Sequence, residues 1–182
     1  MKPRLFAFLR AINVGGHTVT MSTLRGIFEG LGLEDVETFI ASGNVFFTSP
    51  GTSIPALERK IEARLEKSLG YEVATFIRTA SELVALAAYS PFPAAQMRGA
   101  GACCVGFLSQ PLDAAAKKAL HGLKTEIDDF HLNGREVYWL CKVKQSESKF
   151  SNTIFEKTVR ACVTFRGANT VAKLAAKAGA SP

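Results

Sequence analysis

Three polar loops carry the residues best suited to binding chemistry. In the first loop, Arg10 and Asn13 are followed by Gly15 and Gly16, directly after an apolar stretch. Glycine loops ahead of a helix can present backbone N–H groups to an anion. However, the loop has neither the Gly-x-Gly-x-x-Gly pattern nor the Gly-Lys-Ser/Thr of a P-loop. It therefore predicts a candidate anion contact, and a plain turn is the alternative interpretation.

The second loop consists of Ser42, Gly43 and Asn44, between two stretches rich in β-branched and aromatic residues. This pattern is typical of a tight hairpin turn or a bulge. Its polar side chains are candidate ligand contacts, and hairpin geometry alone is the alternative. Ser42 has no evident histidine partner, so no nucleophile, base and acid can be assembled into a catalytic set.

The third loop places Arg166 shortly before Asn169, Thr170 and Lys173. The spacing predicts that a helix begins here with Asn169 or Thr170 as its N-cap. An arginine beside a helix N-terminus is a credible phosphate site. The alternative is a capped terminal helix whose lysines are simply solvated.

The net charge of +6 is concentrated in the C-terminal quarter of the chain. Residues 142–177 contain only two acidic residues, Glu147 and Glu156, against eight basic ones: Lys142, Lys144, Lys149, Lys157, Arg160, Arg166, Lys173 and Lys177. An anionic partner such as phosphate, a nucleotide or nucleic acid is one hypothesis, with Lys149 among the candidate contacts. A solvated surface that keeps the protein soluble is the other.

No residue pattern in the sequence supports a metal or cofactor site. The four cysteines, Cys103, Cys104, Cys141 and Cys162, show no Cys-x-x-Cys spacing, and the three histidines are scattered. Neighbouring strand residues point to opposite faces, so Cys103 and Cys104 should not share a metal. We predict buried, reduced thiols and no metal or cofactor.

The elements that must position these loops occur in the same order twice. Each half is predicted to contain strand, helix, strand, turn, strand, helix, strand and helix, with the turns at Gly43 and Gly134. This predicts an α+β protein of two tandem ferredoxin-like βαββαβ halves, with antiparallel sheets and helices packed on one face. The predicted division is residues 1–90, a linker over 91–101, and residues 102–182 with a basic C-terminal helix.

This topology carries an expectation about the loops. We expect the loop after the first strand and the hairpin between the second and third strands to lie at opposite sheet ends. Arg10 and Asn13 would then not share a site with Ser42 and Asn44 within one half.

The composition predicts a globular, cytoplasmic protein. Hydrophobic residues make up 47% of the chain and charged residues 21%, well within the globular range. The apolar run near the N-terminus is too short for a signal peptide, and no stretch approaches the roughly 20 apolar residues that span a bilayer.

Several of these segments resemble the signature of the domain of unknown function 1697 family of bacterial α/β proteins. The matching segments are Arg10 through Gly16, Ser42-Gly43-Asn44-Val45, and Arg166 with Asn169-Thr170-Val171 and Lys173-Leu174. The chain departs from the family pattern at Ala11, at Ala41 and at Gly167-Ala168. The resemblance implies an α/β fold and, because the family has no agreed activity, no reaction.

Three functions are compatible with these observations. The first is binding of a phosphate-bearing ligand or nucleic acid. Bases could stack on aromatic side chains of the predicted strands, and the alternative is that these side chains belong to the core. The aromatic residues are Phe39, Phe46, Phe130, Tyr138 and Trp139. The second is a small-molecule enzyme with a cleft between the two halves. The third is an interaction module that dimerises through a sheet edge. The oligomeric state is expected to be a monomer or a homodimer.

Overall fold

The computed structural model describes residues 2–13, 16–40, 43–51 and 53–179. The chain divides into two compact units, Met1–Ala85 together with Leu174–Pro182, and Leu86–Lys173. In the described part of the chain, no helix is long and apolar enough to cross a membrane.

The first unit is built on one antiparallel sheet in the order β2-β3-β1-β4. Its elements are β1 (Arg4–Leu9), α1 (Met21–Glu29), β2 (Glu34–Phe39), β3 (Asn44–Thr48), α2 (Ile54–Leu69), β4 (Thr75–Thr79) and the start of α3 (Ala80–Ala88). This order confirms the predicted ferredoxin-like arrangement, in which each helix connects two strands that flank a third.

The second unit repeats this sheet in the order β6-β7-β5-β8. Its elements are α4 (Ala94–Gly99), β5 (Ala102–Phe107), α5 (Ala114–His121), β6 (Asp128–Asn133), β7 (Glu136–Cys141), α6 (Asn152–Val159), β8 (Thr164–Gly167) and the start of α7 (Ala168–Gly179). The stretch expected to be a linker thus forms a short helix, and Phe92 ahead of it is buried.

The two sheets share their register as well as their strand order. Leu9 donates its backbone amide to the Gly43 carbonyl, and Leu108 donates to the Arg135 carbonyl at the corresponding place. The strand partners Phe8 and Asn44 correspond to Phe107 and Glu136. The repeat predicted from element order therefore extends to the pairing of individual strand positions.

Both faces of each sheet are buried. In β1, Leu5, Ala7 and Leu9 join the core formed with α1 and α2, while Phe6 and Phe8 on the other face are buried as well. The final turns of α7 lie over that second face, where the Lys177 ammonium is 5.6 Å from the Phe46 ring centre. This coverage explains why β1 is a continuous apolar run and not an alternating one.

In the second unit, the second face of the sheet is covered by the segment that follows α3. The Tyr89 ring lies 5.3 Å from that of Tyr138, and the Tyr89 hydroxyl is 2.7 Å from His131 Nε2. The opposite face packs against α5 and α6 through residues such as Val137 and Phe155. Each sheet is therefore the middle layer of its own unit.

The cysteine prediction is partly wrong. None of the four thiols forms a disulfide, and Cys104 and Cys141 are buried as expected. Cys103 is only half-buried and Cys162 is exposed. Cys162 lies in the loop between α6 and β8, which leaves its side chain exposed.

Candidate functional site

The candidate site lies at one end of the first sheet, where three loops meet. Leu9 at the end of β1 donates to Gly43 at 2.8 Å, and Arg10 donates to Ala74 ahead of β4 at 2.8 Å. The expectation that the β1 loop and the β2–β3 hairpin lie at opposite ends is therefore wrong. Because β1 and β2 run parallel on either side of β3, both strands end at the same edge. We call this region the hairpin end, meaning residues 10–13, 16–20, 43–44 and 70–74.

The β1 loop has an unusual backbone. Ala11 and Asn13 have φ values of 59° and 56°, and Gly16 has 88°. Left-handed residues at alternate positions turn successive N–H groups toward one another, as in anion-binding nests. Glycine adopts this region freely and asparagine at low cost, so the strain falls mainly on Ala11, and strain of this kind clusters at functional sites.

Asn13 shapes this loop through its side chain. Its Oδ1 accepts a 2.5 Å hydrogen bond from the Val19 amide, just before α1 begins. Thr20 then caps α1 by accepting from Thr23 at 3.0 Å. Asn13 therefore holds the loop closed across six residues, and Arg10, which is half-buried, is the charged side chain of this loop.

The hairpin requires glycine at position 43. Gly43 has a φ of 72°, and a β-carbon there would lie 3.1 Å from Leu9 Cβ and 3.2 Å from Ile12 Cβ. Asn44 is 2% exposed, and its amide nitrogen donates to the Phe39 carbonyl at 3.0 Å. Ile40 on the other side of the turn is left-handed and 52% exposed. Gly43 and Asn44 thus build the hairpin that closes the site.

Two of the predicted residues of these loops, Gly15 and Ser42, lie outside the described residues. Gly16 is described and exposed. The structure therefore brings Arg10, Asn13, Gly16, Gly43 and Asn44 to one end of the first sheet.

An aromatic pair at the same end was not predicted. His17 of the β1 loop stacks on Tyr71 with 3.9 Å between ring centres and 28° between ring planes. The Tyr71 hydroxyl is buried and has no hydrogen-bond partner among the described residues. Such orphaned hydroxyls usually have a water or ligand partner. The two residues are 54 positions apart in the sequence, so no local pattern could reveal the pair.

The third predicted loop has a different structure from the one expected. Helix α7 begins at Ala168, so Asn169 and Thr170 lie inside its first turn, and the predicted N-cap is wrong. Strand β8 runs directly into the helix, which leaves no loop for a cap. Asn169, Lys173 and Lys149 are exposed and Thr170 is half-buried.

Arg166 itself points into the protein. It is 8% exposed, and its Nη1 donates to Thr164 Oγ1 at 2.8 Å and to the Phe165 carbonyl at 2.9 Å. Burial lowers the pKa of Arg166 to about 10. These contacts assign Arg166 to the interior of the second unit.

A second buried arginine explains this placement. Arg78 pairs with Phe6 in the first sheet, and Arg166 pairs with Val105 at the corresponding position of the second. Arg78 is fully buried, and its Nη1 donates to the carbonyl of the preceding residue at 2.8 Å, as that of Arg166 does. The arginine is therefore a repeated structural feature of the fourth strand.

Metal chemistry has no geometric support in the described part of the chain. There, no three histidine, cysteine, aspartate or glutamate side chains are arranged to hold an ion. The chemistry offered by the hairpin end is instead that of an arginine, strained backbone amides and an aromatic pair.

Comparison with known proteins gives a family and a fold. The model of the family described as a protein of unknown function, DUF1697, matches residues 2–138. The chain is also similar to the solved structure of the conserved bacterial protein SP0830 from Streptococcus pneumoniae. The two chains are 25% identical with a TM-score of 0.74, over 98% of this chain and 99% of that one. No curated protein matches the sequence.

Proposed function

The chain belongs to the DUF1697 family, which is described only as of unknown function, and from its geometry we propose that the hairpin end of the first unit binds a small phosphate-bearing ligand. The observation that carries this proposal is the convergence of Arg10 with the left-handed residues Ala11, Asn13 and Gly43 at one sheet end. Arginine supplies charge-assisted hydrogen bonds to phosphate oxygens, and backbone amides supply uncharged donors.

The aromatic pair extends the site beyond the phosphate. His17 is exposed and lies flat against Tyr71, whose hydroxyl lacks a described partner. A ligand with a planar group next to its phosphate would stack on this pair and offer that hydroxyl a hydrogen bond. This supports a nucleotide-sized ligand over free phosphate.

Two observations favour a small ligand over nucleic acid. Of the strand aromatics that could have stacked bases, Phe46, Tyr138 and Trp139 are buried, and Phe39 and Phe130 are half-buried. In addition, Glu62, Glu66 and Glu72 line a depression of about 250 Å³ beside Val73 and Ala74 at the hairpin end. These carboxylates would repel a polyanion that extends past Arg10.

Hydrogen bonds along β4 argue against dimerisation through that edge of the first sheet. Along β4, the amides of Thr75, Ile77 and Thr79 donate to carboxylates of Glu62, Glu58 and Glu82 at 2.8–2.9 Å. An edge strand whose outward N–H groups are already bonded does not recruit another strand.

Calorimetric titration with inorganic phosphate and with adenosine 5′-monophosphate tests the proposal. We expect the nucleotide to bind more tightly than phosphate and Arg10→Gln to weaken both about tenfold or more, as for loss of a charged hydrogen bond. Arg25→Gln is the matched control, because Arg25 is an exposed arginine on α1 of the same unit. Equal affinity of Arg10→Gln and wild type would contradict the proposal.

A short DNA duplex titrated at low and raised salt is the second arm of this experiment. Salt-sensitive duplex binding that exceeds nucleotide binding would replace the small-ligand proposal with a nucleic-acid one. We expect the duplex to bind more weakly than the nucleotide under both conditions.

A further inference from the structure

A cavity of about 660 Å³ lies at the corresponding end of the second unit, between the β5–α5 loop and the C-terminus of α6. This volume is within the roughly 300–1,000 Å³ typical of small-molecule sites. The cavity wall is apolar at Leu108, Leu112 and Val159, which are all buried. Polar side chains at its rim include those of Ser109, Arg160 and Cys162.

Arg160 is held at this rim in a strained conformation. It terminates α6 with a φ of 57° and a ψ of 37°, and its amide donates to the Glu156 carbonyl at 2.9 Å. Glycine is the usual residue at such a helix end, because a β-carbon is disfavoured in the left-handed region. Arg160 is exposed and lines the cavity, so its guanidinium is available to an anionic ligand there.

The acidic side chain of the lining is already engaged. Asp113 accepts a 2.8 Å hydrogen bond from the Ala116 amide and caps α5. The α5 terminus is therefore occupied by its own carboxylate, and a bound anion would find its charged partner in Arg160.

From this arrangement we infer that the cavity binds a small molecule with an apolar body and one anionic group. The apolar body lies against Leu108, Leu112 and Val159, and the anionic group pairs with the Arg160 guanidinium. This site is separate from the hairpin end of the first unit and does not depend on the function proposed there.

The fluorescent probe 8-anilinonaphthalene-1-sulfonate tests the inference, because it combines an apolar ring system with a sulfonate. We expect saturable binding of one probe per full-length chain and a loss of tenfold or more in Arg160→Gln. Lys142→Gln, an exposed change in the same unit, should leave binding unchanged, as should Arg10→Gln. The uncharged analogue N-phenyl-1-naphthylamine should bind Arg160→Gln and wild type equally.

A pair of tryptophan substitutions locates the probe. Ala115 lines the cavity and is exposed, so Ala115→Trp should fill the cavity without disturbing the core and should abolish saturable binding. Ala114→Trp, at an exposed neighbouring position outside the lining, should not. Bound probe should also slow alkylation of Cys162 by iodoacetamide. Absence of saturable binding, or unchanged binding in Arg160→Gln or Ala115→Trp, would overturn the inference.

Discussion

The backbone amide of Leu9 donates a 2.8 Å hydrogen bond to the carbonyl oxygen of Gly43. This bond fixes the end of β1 against the β2–β3 hairpin, and Arg10 follows immediately. The position of the only charged side chain among residues 10–13 therefore depends on the hairpin geometry. Changes to the hairpin should affect both folding and binding.

Gly43→Ala should destabilise the protein by about 1–3 kcal/mol, because alanine is strained at positive φ and its β-carbon would press on Leu9 and Ile12. Gly26→Ala is the control, for which we expect the opposite change in stability. Gly26 lies within α1 with open space around it, so alanine there should stabilise by roughly 0.5–1 kcal/mol. Urea denaturation measures both. A Gly43→Ala protein as stable as wild type would show that the hairpin tolerates a side chain.

Asn13 has two separable roles, its left-handed backbone and its bond to Val19. Asn13→Gly keeps the backbone accessible and removes the bond, which should cost about 1 kcal/mol. Asn13→Ala loses both and should be less stable than Asn13→Gly by about a further 1 kcal/mol. Thermal denaturation of the two variants gives the order of their stabilities. If alanine were the better tolerated residue, the left-handed conformation would not be needed.

Glu58 closes the β4 edge from a nearly buried position, with Oε1 2.8 Å from the Ile77 amide. Glu58→Ala leaves that amide without its acceptor and should cost about 1–3 kcal/mol, whereas Glu58→Gln keeps an acceptor and should cost less. Glu66→Ala on the exposed face of the same helix serves as the control and should be nearly neutral. Analytical ultracentrifugation of Glu58→Ala additionally shows whether an opened edge promotes association, which we expect.

Thiol reactivity should distinguish the four cysteines. Burial raises the pKa of Cys104 to about 12 and also raises the pKa values of Cys103 and Cys141. Since the thiolate is the reactive form, these three should react slowly near pH 8 and faster as the pH rises toward their pKa values. Exposed Cys162 should be alkylated first by iodoacetamide, as followed by peptide mass spectrometry. Equal labelling of Cys104 and Cys162 in the native protein would contradict the burial of Cys104.

Local sequence patterns predicted the elements because each pattern has a local cause. The Asn133-Gly134 pair is typical of a tight hairpin and lies between β6 and β7. The apolar residues of α2 recur at helical spacing: Ile54, Leu57, Ile61, Leu65 and Leu69. Repetition of the element order then specified the ferredoxin-like topology of each unit. The predicted boundaries differed from the observed ones by a few residues, as at α7.

Other features depend on contacts between distant residues and were missed or wrong. The shared sheet end of Arg10 and Gly43 follows from the ferredoxin-like topology itself, in which β1 and β2 run parallel on either side of β3, so the expectation of opposite ends was inconsistent with the predicted fold. Arg166 looks like a surface cation in the sequence, and only the strand register shows it to be the buried counterpart of Arg78. The His17–Tyr71 stack likewise arises from tertiary packing alone.

An amide-resolved NMR titration with adenosine 5′-monophosphate is the sharpest test of ligand binding at the hairpin end. We expect the resonances of residues 10–13, 16–17 and 43–44 to shift together and saturate with one affinity, and Arg10→Gln to weaken this response about tenfold. Shifts confined to the basic residues around Lys149 and Lys173, or no saturable shifts at the hairpin end, would contradict it.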